Sequence, residues 1–146
     1  MIQYITLRVN AHSTEDRSRV DQALDFFLQN IDSDKEKLVE TIYAEGHYGN
    51  PIIIYNVQIS QKSKCRSFIS FLKREIKLND LEKLRSEISL RLDEDQSFHM
   101  KFDKQAAYQG KLELSSSSDA VTVKMKITTF PKNWDDARRF MEEVLE

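Results

Sequence analysis

One cysteine, three glycines and two prolines are all that the 146 residues contain of these types. Cys65 therefore has no partner for an internal disulfide, and a single thiol with three dispersed histidines cannot assemble a structural zinc site. So little Gly and Pro leaves no room for a flexible tether, and residues 1–146 are expected to form one domain. No apolar run approaches the ~20 residues of a membrane span, and residues 1–8 lack the charged start and apolar core of a signal peptide. The chain reads as soluble and cytoplasmic, with no membrane partner. An excess of positive charge is missing as well: 22 Lys and Arg face 24 Asp and Glu, so the strongly basic footprint of many nucleic-acid-binding domains is absent.

What is present is an uneven distribution of charge. Residues 1–60 carry five cations against nine acids, whereas residues 61–92 carry nine against four. A basic middle thus sits in an acidic frame. Such a segment is either ordinary solvated helix surface or an anion-binding stripe.

Hydrophobic periodicity supplies the elements. Ile5, Leu7, Val9 and Ala11 alternate with Thr6, Arg8 and Asn10, the period-two pattern of a strand with one buried face. The acceptors and acids of residues 13–16 suit a helix start, and Val20, Ala23, Leu24, Phe27 and Leu28 continue it as an apolar stripe to about Gln29. Strand character returns at Val39, Thr41 and Tyr43 and, after a Gly- and Asn-rich turn, at residues 52–59, which predicts a hairpin. Cys65, Phe68, Ile69, Leu72 and Ile76 mark one helix, and Leu81, Leu84, Ile88 and Leu92 a second. Phe98, Met100 and Phe102, then Leu112 and Leu114, then Val121, Val123, Met125 and Ile127 read as three strands of a meander. A helix near 133–145, beginning at Trp134, closes the chain. The expected fold is α+β, with a mainly antiparallel sheet of about six strands and helices packed on one face. Such a sheet can leave its other face wet.

Chemistry-bearing clusters are few. His12, His47 and His99 lie at no metal-ligand spacing, no Gly-rich phosphate loop occurs, and residues 115–118 have neither base nor orienter nearby. Neither an active site nor a cofactor or metal is expected. Three groups suit RNA instead. Lys62, Arg66, Lys73 and Lys77 fall within one arc of a helix and form either a phosphate track or a solvated edge. His47, Tyr48, Gly49 and Asn50 occupy a loop that is either a hairpin turn needing positive φ or a phosphate and base clamp. Lys104, Gln105, Tyr108 and Lys111 offer ammonium, amide and ring groups to RNA, or cap a connector.

Two motifs go beyond these generic patterns. Gly46, His47, Tyr48, Gly49, Asn50, Pro51 and Ile52, followed by the Asp103–Leu112 string that begins Asp-Lys-Gln-Ala-Ala-Tyr, resemble an archaeal family described as RNA-binding proteins or predicted exosome subunits. Residues 12–16 resemble that family's opening strand-to-helix junction. The resemblance implies a fold like the large-subunit ribosomal protein that holds 5S ribosomal RNA. It also implies RNA as a partner, work beside exosome subunits in RNA processing, and no catalytic residues. Residues 100–102 depart from the Arg-containing strand usual before Asp103 in such proteins. The leading expectation is an RNA-binding accessory protein. Its rival is a subunit that docks on a protein partner and leaves RNA contact to that partner.

Overall fold

The computed structural model describes residues 1–31, 38–46 and 49–146. His47 and Tyr48, both named above as candidate RNA contacts, lie outside the described residues.

Strand β1, Ile2–His12, is the centre of the molecule. Its alternation buries Ile5, Leu7, Val9 and Ala11 on one side and turns Thr6, Arg8 and Asn10 to the other. Helix α1, Arg17–Leu28, follows once the Asp16 side chain accepts the Ser18 N–H at 3.0 Å, which satisfies one of the free donors of the first turn. The hairpin expected from the turn residues forms between β2, Val39–Glu45, and β3, Pro51–Ile59. Gly49 takes φ +74°, a backbone conformation that favours glycine, and a Cβ at Gly46 would stand 2.3 Å from the end of the Ile52 side chain, which would have to shift.

Helices α2, Lys62–Glu75, α3, Leu78–Ser86, and α4, Ile88–Arg91, lead into β4, Ser97–Phe102. Asp103 then caps the short α5, Lys104–Tyr108, by accepting the Ala106 N–H at 2.8 Å. Strand β5, Val121–Ile127, and helix α6, Trp134–Val144, complete the chain, α6 being capped by Asn133 on the Asp136 N–H.

Five strands are hydrogen-bonded in the order β2-β3-β1-β5-β4, every neighbour antiparallel. The segment expected to supply a further strand at Leu112 and Leu114 makes isolated bridges instead, Leu112 with Ile76 and Leu114 with Phe102. Its backbone is pulled toward different partners: the Leu114 N–H donates to the Asp80 carboxylate at 3.1 Å, and the Leu112 side chain is buried in the core. A continuous ladder cannot form there.

One apolar core lies between the sheet and the helices. Phe27, Phe68, Phe71, Phe98 and Phe102 are fully buried in it, and Phe71 meets Phe26 edge-on at 5.1 Å between ring centroids. Among the described residues no helix is long and apolar enough to cross a membrane.

Phe71 touches Phe26, Phe27 and Phe68 and has 0% exposure. Phe71→Ala should lower unfolding free energy by about 3–5 kcal/mol, the range for a buried aromatic that leaves a cavity. Urea unfolding followed by circular dichroism measures this, and a loss below about 1 kcal/mol would contradict the packing described.

Candidate nucleic-acid interface

Among the described residues the helices named above lie against one face of the sheet and leave the opposite face open, and register decides which side chains share it. Side chains directly opposite on paired strands project to the same face. Gln58 stands opposite Thr6, Thr6 opposite Lys124, and Lys124 opposite His99. One step along, Asn56, Arg8, Thr122 and Lys101 form a second row across β3, β1, β5 and β4. Tyr4, Lys126 and Ser97 form a third. The first two rows line a groove of about 500 Å³, and the third lies beyond it.

The charged side chains described along the groove are mostly cationic. Arg8 and Lys101 are exposed and have no acidic partner among the described residues. The Lys124 ammonium lies 5.9 Å from the Tyr4 ring centroid, and the residue is partly exposed. Beyond the groove Lys126 donates to the Asp95 carbonyl, and within it the His99 ring meets the Asp93 carboxylate at 2.7 Å. Burial pushes the Asp93 carboxyl up, but the His99 contact and the backbone N–H of Ser97 outweigh it and hold the group below the ordinary aspartate value. Glu40, opposite Asn56 at the β2 edge, is the acid lining the groove among the described residues, and the cations Arg8, Lys124 and Lys101 run over β1, β5 and β4.

The residues singled out from the sequence fall elsewhere. Lys62, Arg66 and Lys73 are exposed on α2, on the helical side. Lys62 and Arg66 edge an apolar groove between α2 and α6 that is lined by Ile2, Cys65, Ile69, Phe140 and Val144. Lys77 does not continue their row, because α2 ends at Glu75 and Lys77 is the residue that opens α3. Its ammonium is paired with Glu113 at 2.5 Å, which raises the lysine above its ordinary value and lowers the glutamate.

Lys104 is the clearest departure. It is 6% exposed, and its ammonium donates to the Asn10 carbonyl at 2.8 Å, to Glu15 at 2.9 Å and to Asp119 at 3.0 Å. A cation placed on a surface connector by sequence reasoning is instead the knot that ties α5 to the ends of β1 and β5. It also answers the metal question raised by His12, Glu15 and Asp119, whose ligand atoms lie within 4.8 Å of one another. Charge there is already balanced by an ammonium. Gln105 and Lys111 are exposed beside this knot, and Tyr108 lies under the Arg19 guanidinium at 5.2 Å.

Gly49, Asn50 and the α5 segment occupy the same end of the sheet, since Ile52 pairs with His12 and Lys104 reaches Asn10. Among the described residues no hydrogen bond or ring contact joins the two segments, and the end of β1 with Glu15 and Asp119 lies between them.

Sequence reasoning named none of Arg8, Lys101, Lys124, Thr6, Asn56, Gln58 or Thr122 as a site. The signal was the polar half of each alternating strand, visible strand by strand. Only strand order adds those halves into one surface.

A family model described as RNA binding matches residues 4–127. An RNA-binding protein of Pyrococcus abyssi is 31% identical over 142 residues, covering 97% of this chain and 92% of that protein. An uncharacterised protein of Methanocaldococcus jannaschii is 33% identical over 141 residues, covering 93% and 92%. A crystal structure of an Archaeglobus fulgidus protein superposes with a TM-score of 0.85 at 29% identity, covering 99% of both chains.

Burial pushes the Asp119 carboxyl up, but the Lys104 ammonium and then His12 more than offset this, so it lies below the ordinary aspartate value. A depressed folded-state value means that this stabilisation is present above the unfolded value, near pH 4, and disappears as pH falls through the folded one. Lys104→Met should cost about 2–3 kcal/mol at neutral pH, less than for a fully enclosed pair because Asp119 is half exposed to water. Thermal melts from pH 7 to pH 2 should show the difference between wild type and variant shrinking below pH 4; a constant difference would count against the ion pair.

Proposed function

The chain belongs to the RNA-binding family whose model spans residues 4–127, and from that premise we propose that it holds RNA on the open face of its sheet. The observation that carries this reading is the juxtaposition of Arg8, Lys124 and Lys101 on three adjacent strands, flanked by the amides and hydroxyls of Asn56, Gln58, Thr6 and Thr122. Cations there neutralise phosphates and release condensed counterions, which supplies affinity without sequence information. The uncharged groups add hydrogen bonds to sugar or base edges. A net charge of -2 for the chain does not oppose this, because at physiological salt exposed charges are screened beyond about 8 Å and RNA on this face meets the local strip.

The narrower reading is an accessory protein working beside the RNA-processing exosome. The motif resemblance at residues 46–52 and 103–112 supports it, and with it the likeness to the ribosomal protein that holds 5S ribosomal RNA. A protein partner has its own supporting observation in the apolar groove between α2 and α6, on the helical side and away from the sheet face. RNA and a protein partner would therefore not compete for one surface.

Replacing Arg8, Lys101 and Lys124 together by Gln should weaken RNA binding at least about tenfold at low salt and reduce the salt slope by about 2–3, as expected for three lost phosphate contacts. Filter binding across a salt series measures both. The comparison is Lys62, Arg66 and Lys73 changed together to Gln, which should leave the slope unchanged. The opposite pattern would move the RNA site to the helical side.

A further inference from the structure

We infer that the sheet face is shaped for the minor groove of double-helical RNA rather than for the stacked bases of a single strand, an inference that rests on the reading that this face holds RNA. Single-strand binders present aromatic platforms on which successive bases stack. The outward positions of the five strands offer almost none. Tyr4 stands at the margin with Lys124 over its ring, and the His99 ring is tied to Asp93. The other strand tyrosines are in the opposite phase: Tyr55 pairs with Thr41 and Val9 and is buried on the helix side, and Tyr43 is in register with Ile53 beside it.

What the face does offer is a row in which a hydroxyl sits between two cations. Arg8, Thr122 and Lys101 stand opposite one another on β1, β5 and β4. Two strand spacings separate the cations by roughly 10 Å, with Thr122 at the midpoint. The Thr122 hydroxyl donates to the Arg8 carbonyl at 3.3 Å and keeps its own lone pairs available as an acceptor. A cation, a hydroxyl and a cation in that order match a phosphate, a ribose 2′-OH and a phosphate across the wide, shallow minor groove of an A-form helix. Asn56 and Gln58 extend the row of uncharged groups on β3. The strip from β3 to β4 is about 14 Å wide, too broad for the roughly 6 Å minor groove of B-form DNA. A duplex that lacks the 2′-OH therefore loses both the fit and the hydrogen bonds.

Fluorescence anisotropy at low salt with three probes tests this: an RNA duplex of about 16 base pairs, one of its strands alone, and the DNA duplex of the same sequence. The RNA duplex should bind at least about tenfold more tightly than either of the others. Thr122→Val should keep the salt slope and narrow the preference for the RNA duplex over the DNA duplex by about threefold or more, because it removes an acceptor and no charge. Single-stranded RNA binding as tightly as the duplex, or DNA duplex binding equally well, would overturn the duplex inference and leave the RNA-binding reading standing. Failure of every RNA probe to bind would overturn both.

Discussion

The two-sidedness of β1 is the constraint on which the rest of the molecule depends. It lies third of five in the sheet, bonded to β3 on one side and β5 on the other, so its pleat sets the phase of both halves. Ile5, Leu7, Val9 and Ala11 must face the helices, and the register then forces Val57 and Tyr55 on β3 and Met125 and Val123 on β5 to the same side. A slip of one residue would turn this apolar set to water and bring Arg8 into the core, which burial energetics forbid. The same phase that closes the core turns Thr6 and Arg8 of β1 to the open face, so core and open face are two sides of one alternation.

The helical side carries the cost of that arrangement. Helices α1 and α2 bring Phe27, Phe68 and Phe71 onto the sheet, while α5 is fastened through the Lys104 ammonium rather than through a long apolar face. A buried lysine with two carboxylates and a carbonyl is tolerable because each donor is used and the opposite charges are adjacent. Its placement also explains why the motif around Asp103 is specific: Asp103 caps α5, Lys104 anchors it, and Ala106 and Ala107 are small enough to sit buried in the short helix. Those residue types answer structural demands.

Charge read along the chain and charge gathered in space pick out different surfaces. The densest cationic stretch, residues 61–92, lies mostly in α2 and α3 on the helical side, where Lys77 is paired and Lys62 and Arg66 rim an apolar groove. The cations of the open sheet are dispersed in sequence, one on β1, one on β4 and two on β5. Local windows dilute them among acids, whereas in space they are neighbours.

Periodicity by itself determined much about this protein. The alternations of β1 and β5, the stripes of α1 and α2, the helix start at residues 13–16 and the glycine-dependent turn were all legible, because each follows from contacts within a few residues. The α+β class followed from their order. Strand adjacency was not legible, since β5 pairs with β1 across more than a hundred residues and no local signal encodes that choice. Nor was the fate of Lys104, whose partners Asn10 and Glu15 lie some ninety residues away, or the failure of residues 112–114 to make a ladder once Asp80 takes the Leu114 N–H. Local chemistry is set by neighbours in the chain, but which polar halves unite into a face is decided only when long-range pairing buries their apolar counterparts.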